Sequence, residues 1–181
     1  MNSKNEYKSI LKITSIFGYV QIVTLINGVI RSKLVASWLG TQGVGILGLV
    51  TSTLALIVAI TNIGLPVSIV KYLAKGAEDE KIENKIKIVK FSLWTTGFLG
   101  AVLTLIFSKS LSFITFNSYE FTWAFQLISI SVLLRQLFVG FSSILQSLHL
   151  FKKLANVNLI ANSLGLLVSV PIYYFYKIDG I

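Results

Sequence analysis

The stretch ITSIFGYVQIVTLINGVIRSKLVASWL, Ile13 to Leu39, decides how the chain is read. Its first eighteen residues, Ile13 to Ile30, carry no charge. At 1.5 Å rise per residue they cover about 27 Å, close to the thickness of a bilayer's hydrocarbon core. Arg31 and Lys33 follow, and the apolar run then resumes to Trp38 and Leu39. A charge at mid-depth in a membrane helix costs ~2.5–3.5 kcal/mol on insertion scales, so it has a partner or a task.

Helical spacing separates the two cations. Thr14, Gly18, Gln21, Gly28 and Arg31 share one face, with Thr24 and Asn27 close by. That face is small and polar and is expected to look toward protein or water. Lys33 lies about 200° round from Arg31 at 100° per residue, and reads as an interfacial, snorkelling lysine. Arg31 reads either as an inward-facing cation or as a second interfacial anchor.

Composition places the whole chain in the same class. Apolar residues make up 54% and charged residues 13%, and the mean hydropathy is +0.78. A soluble domain carries about 25% charged residues, so this is an integral membrane protein. The chain has no cysteine, which excludes a disulfide framework and cysteine-based metal sites. The net charge of +9 would point to nucleic acid in a soluble protein. Here the cations cluster between apolar spans, where membrane orientation accounts for them, and no nucleic-acid partner is expected. The basic N-terminus lacks a small-residue cleavage site and is expected to be retained.

Five spans are expected, at about 13–39, 46–72, 89–107, 121–148 and 154–176, in an all-α polytopic bundle. Gly40, Gly43 and Gly45 in GTQGVG predict a short turn after the first. The second contains Pro66, read as a hinge or a static bend, with Asn62 beside it as a polar candidate. Residues 73–90 mix five lysines and four acidic residues with isoleucines. They read as a short amphipathic helix at the membrane surface or as a solvated loop. Residues 108–120 read as a connection. The fourth span holds Arg135 near its middle, on a face with Ser131, Ser142 and Gln146. Arg135 is expected either to bind substrate or to bond a neighbouring helix. His149 has no second ligand nearby, so no metal is assigned. In the fifth span Asn158, Asn162, Gly165 and Ser169 line one face, and Tyr173, Tyr174 and Tyr176 read as an aromatic belt.

Lysines set the expected topology. Eleven cations lie in the N-terminus, around residues 71–90 and in the 152–153 turn, against Lys109 and Lys177 and at most Arg31 and Lys33 on the other side. The positive-inside rule then puts the N-terminus in the cytoplasm.

IRSKLVASWLGTQGVGILGL, Ile30 to Leu49, resembles the start of lipid-linked oligosaccharide flippases, the O-antigen (Wzx-type) transporters of the bacterial inner membrane. These are relatives of the MATE exporters and of the lipid II flippase. IGLPVSIVKYLAKG, NVNLIANSLG and the closing YKIDGI are similar to later landmarks of that family, in order and spacing. The resemblance implies a MATE-like fold of twelve or more helices in two lobes that works by alternating access. This chain then supplies five helices of the first lobe, with the remaining lobe or other polysaccharide-assembly proteins as partners. It implies an undecaprenyl-pyrophosphate-linked oligosaccharide as substrate, no cofactor, and a substrate-facing role for Arg31, which matches a cavity arginine of the lipid II flippases. Arg135 is a second candidate on its own depth and face. Gln21, Asn27, Asn62, Asn158 and Asn162 are candidate cavity-lining groups.

Other classes make different expectations. A substrate-capture subunit of a vitamin importer would be a compact six-helix bundle with a small-molecule pocket. A remnant of a flippase gene would not transport. An enzyme of phospholipid synthesis needs clustered aspartates for metal and phosphate chemistry, and the chain has only Asp79 and Asp179. No acidic residue lies inside any span, which disfavours a drug exporter coupled through a membrane carboxylate in this part.

Overall fold

Runs of twenty-odd apolar residues can satisfy their backbone hydrogen bonds in a bilayer only by coiling into helices. The computed structural model describes residues 3–62, 64–74 and 82–176, and no strand occurs among them. Six helices follow one another: α1 (Ser3–Asn62), α2 (Leu65–Ala74), α3 (Ile82–Ile106), α4 (Ser108–Phe116), α5 (Thr122–Ser147) and α6 (Phe151–Tyr176). The chain divides into two compact units. Described residues up to Leu47 join those from Leu150 onward, and Gly48–His149 form the other.

Among the described residues, four helices are long and apolar enough to cross a membrane. The first, Ile13–Asn62, has 50 residues, about 75 Å of helix and more than twice a hydrocarbon core. It is divided at Gly40, whose φ of 65° and ψ of −169° lie in a region open essentially to glycine alone. The helical arms 3–39 and 41–62 meet there. The expected GTQGVG turn therefore shrinks to one residue, and the helix resumes at Thr41.

In the first unit Phe17 meets Phe151, Thr24 meets Asn162 and Arg31 meets Tyr173, so α1's first arm and α6 run parallel.

The second unit is held by small residues. Along α3 the buried positions are Val89, Leu93, Gly97, Gly100 and Thr104, and along α5 they include Val132, Gln136, Gly140 and Ser143, at spacings of three and four. Gly140 lies against Leu93, Gly97 against Gln136, and Gly100 against Val132, so the two helices run antiparallel. Gly100 also admits Thr61 of the second arm, and Thr53 shares a 3.3 Å hydrogen bond with Thr115. The arm is thus antiparallel to α3 and α4. Without Cβ atoms these backbones come close enough for van der Waals packing, which drives helix association in lipid.

Three boundaries differ from the sequence expectation. The second span is interrupted: α1 stops at Asn62, Gly64 adopts φ 70°, and α2 begins at Leu65. Pro66 is the second residue of α2, where its missing N–H leaves no helical bond unmade. It starts a helix and does not kink a continuous one. Second, the connection 108–120 contains α4, closed by Asn117 in the left-handed conformation and by the Ser112 hydroxyl donating to the Ser118 carbonyl at 2.6 Å. Third, α3 starts at Ile82, so the later part of the expected surface helix is the first turns of a spanning helix, while 75–81 lie outside the described residues.

Candidate functional site

The polar face of α1 meets the polar face of α6 inside the first unit. On α1, Thr14, Gln21, Thr24, Asn27 and Arg31 recur at three, four or seven residues, within about 60° of their neighbours along one side of the helix. On α6, Asn158, Asn162, Ser169 and Tyr173 do the same. Two hydrogen bonds tie the ladders. The Asn162 side-chain N–H donates to the Thr24 hydroxyl at 2.9 Å. The Arg31 Nη2 donates to the Tyr173 hydroxyl at 2.7 Å. The Arg31 Cζ also lies 5.7 Å from the centroid of the Tyr173 ring, within cation–π range.

Tyr173 is the residue that sequence reasoning assigned differently. It was expected in an interfacial belt with Tyr174. Instead it is 6% exposed and packs with Val35 and Leu39, with Trp38 alongside. Tyr174 does face outward, edge to Trp38 at 5.3 Å. The signal was present: Tyr173 is eleven residues beyond Asn162 and four beyond Ser169, on their face. Tyr174 is one residue, or 100°, away from it.

Arg31 itself remains exposed. A guanidinium has five N–H donors in a planar fork, and one of them is committed to Tyr173. Neither residues 7–62 nor α6 contains an aspartate or glutamate. Among the described residues of its unit the cation therefore has a neutral partner and retains its capacity for an anion.

Two turns toward the N-terminus, the ladders part to leave a groove of about 660 Å³. Thr14, Phe17, Gln21, Thr24, Asn158 and Asn162 line it. Ile13, Gly18 and Val20 complete the wall, and none of these described lining residues is charged. Between the groove and Arg31, the Asn27 side-chain nitrogen is buried with no hydrogen-bond partner.

The candidates thus sort by unit. Gln21, Asn27, Arg31, Asn158 and Asn162 come together in the first. Asn62, Pro66 and Arg135 belong to the second. Arg135 is exposed on α5, and its neighbour in sequence, Gln136, is the polar residue that packs inward. Gln136 is 1% exposed; its amide N–H donates to the Thr96 hydroxyl at 3.3 Å, and its carbonyl oxygen is buried without a partner. Neither Gln136 nor Thr96 stood out in the sequence, where each sits directly beside another polar residue, Arg135 and Thr95. Among the described residues no three His, Cys, Asp or Glu side chains cluster as metal ligands.

Comparison with known proteins matches residues 10–179 to a family described as polysaccharide biosynthesis protein. A curated relative, stage V sporulation protein B of Bacillus subtilis (strain 168), is 30% identical over 100 residues. That match covers 55% of this chain and 19% of the relative, so the matched part spans about a fifth of the relative's length. No solved structure matches.

Proposed function

The chain belongs to the polysaccharide biosynthesis protein family, and we propose that it forms part of a flippase for lipid-linked oligosaccharide. The substrate in this reading is an undecaprenyl-pyrophosphate-linked repeat unit of O-antigen or a related polysaccharide. The site is the bacterial inner membrane, with the N-terminus cytoplasmic. The remaining lobe, or other polysaccharide-assembly proteins, completes the transporter. The reading is that of a carrier that moves its substrate unchanged and is not an enzyme.

One observation carries the proposal: an arginine in a helix long and apolar enough to cross a membrane, steadied by a tyrosine hydroxyl, in a polar track with no carboxylate among the described residues. A pyrophosphate offers what this group lacks. Guanidinium and phosphate oxygens match in bidentate geometry, and the bonds are charge-assisted. Tyr173 holds the fork in place through a neutral bond that an anion can replace. A carboxylate in that position would neutralise Arg31 and compete with the substrate. Arg135, exposed on α5 of the other unit, is the second cation proposed to bind substrate.

In the protein as the cell makes it, Arg31→Ala and Arg135→Ala are expected to reduce surface polysaccharide while membrane abundance stays unchanged. Normal surface polysaccharide in both variants would remove these residues from the mechanism.

A further inference from the structure

The groove between α1 and α6 has chemistry different from the arginine beside it. Its polar wall is built from two threonine hydroxyls and three carboxamides, from Gln21, Asn158 and Asn162. These groups both donate and accept hydrogen bonds. Phe17 supplies an aromatic surface, fixed by edge-to-face contact with Phe151 at 6.0 Å. A wall of neutral donors and acceptors beside an aromatic ring suits a ring of hydroxyls with an apolar C–H face, which is a pyranose. The volume of about 660 Å³ lies within the range of ligand pockets.

The register relates the groove to Arg31. Thr24 precedes Arg31 by seven residues, about 10 Å along the helix, and Gln21 precedes it by ten, about 15 Å. A phosphate at Arg31 therefore leaves the groove within reach of the sugar joined directly to it. Asn27, with its unpaired buried N–H, lies between the two.

We propose that this groove binds the first sugar of the lipid-linked oligosaccharide and accepts only uncharged sugars there. The inference rests on the flippase reading and deepens it. Selectivity follows from what the groove lacks. A uronic acid in it would give up part of the water around its carboxylate and find no cation among the described lining residues. Even partial desolvation of a charge without a partner is unfavourable. A hydroxyl or N-acetyl group would instead exchange water for the carboxamides and threonines.

The test is binding to the whole protein in nanodiscs, read from intrinsic tryptophan fluorescence. The probes are undecaprenyl pyrophosphate, its N-acetylglucosamine conjugate and its glucuronic acid conjugate. The N-acetylglucosamine conjugate is expected to bind about tenfold tighter than the bare pyrophosphate, the gain available from two or three neutral hydrogen bonds. The glucuronic acid conjugate is expected to show no gain. In Asn158→Leu the ratio between N-acetylglucosamine conjugate and bare pyrophosphate should fall toward one. Gln21→Leu should do the same, and Gln21 is exposed, so that change leaves core packing alone. Gln21→Arg should turn the preference toward the glucuronic acid conjugate. If the wild type shows no sugar gain, or an equal gain for both sugars, or keeps its ratio in both leucine variants, the groove is not a sugar site and the flippase reading stands. If the wild type binds none of the three probes, the flippase reading fails and the groove proposal with it.

Discussion

In the most apolar part of α5, 39% of the residues are buried and in that of α3 28%, against 6% in α6 of the other unit. The bundle of residues 48–149 is built on close approach: Gly97, Gly100 and Gly140 each admit a side chain of the neighbouring helix. The pairing of α1 with α6 is built on polar contacts at intervals, Asn162 to Thr24 and Arg31 to Tyr173, with a groove between polar walls. Lipid offers no hydrophobic drive between helices, so each device must hold helices together by itself. The first gives a rigid scaffold. The second leaves polar groups with bonding capacity in reserve, which is what the proposed substrate track needs. The comparison predicts that substitutions in the bundle act on stability, while those in the α1–α6 pair act on function.

The largest effect should come from filling the seam of the bundle. In Gly140→Leu the new side chain meets the Leu93 side chain, itself 1% exposed and unable to swing aside. Overpacking of this kind costs about 1–3 kcal/mol and can cost more. The expected result is a clearly lowered melting temperature in detergent and reduced membrane abundance. An unchanged melting temperature would mean that α3 and α5 are not held by this close approach.

A smaller and different effect is expected across the polar pair. Tyr173→Phe keeps the ring between Val35 and Leu39 and removes only the acceptor for Arg31. Hydrogen bonds within membrane proteins average ~0.6 kcal/mol and reach ~1.7 in double-mutant cycles, so the melting temperature should fall little. Surface polysaccharide should fall more than stability does, because Arg31 loses the bond that positions it. Adding Arg31→Ala to Tyr173→Phe should lower it no further than Arg31→Ala alone. Additive losses would show that the tyrosine acts independently of the arginine.

These contrasts also explain what could be read from the residues alone. The helical class and the polar face from Thr14 to Arg31 follow from apolar run length and a 3.6-residue period, which are averages over many residues. Helix ends are not averages. The breaks at Gly40 and Gly64 depend on dihedral angles at one residue each, and a hydropathy window blurs them. Pro66 was legible as a perturbation but not as a helix start, because proline disrupts an interior turn and suits a first turn equally well. The 108–120 connection hid α4 because nine residues are too few for a clear period. Tyr173 was misplaced by composition: three tyrosines near a span's end suggest an interface, and only their separation by 100° per residue assigns one of them to the seam. The groove was legible as two polar faces. Their pairing was not, since nothing local says that α1 and α6 are neighbours.

The smallest predicted effect is the sharpest test of the comparison, because it concerns a polar residue inside the packed bundle. Gln136 is 1% exposed and makes one long hydrogen bond, 3.3 Å to Thr96, while its carbonyl oxygen has no partner. Gln136→Leu removes a weak bond and also an unsatisfied acceptor, whose burial costs about 1–3 kcal/mol. The two terms oppose each other. Thr96 does not need the glutamine, because its own hydroxyl already donates to the Ser92 carbonyl at 2.9 Å. Leucine is of similar size and can fill the space against Gly97, whose missing Cβ would sit 3.4 Å from the glutamine Cγ. The melting temperature should therefore stay level or rise slightly, and surface polysaccharide should be unchanged. A stable Gln136→Leu protein that no longer supports surface polysaccharide would break the division: the orphaned carbonyl would then serve function, and the scaffold unit would carry a working polar group of its own.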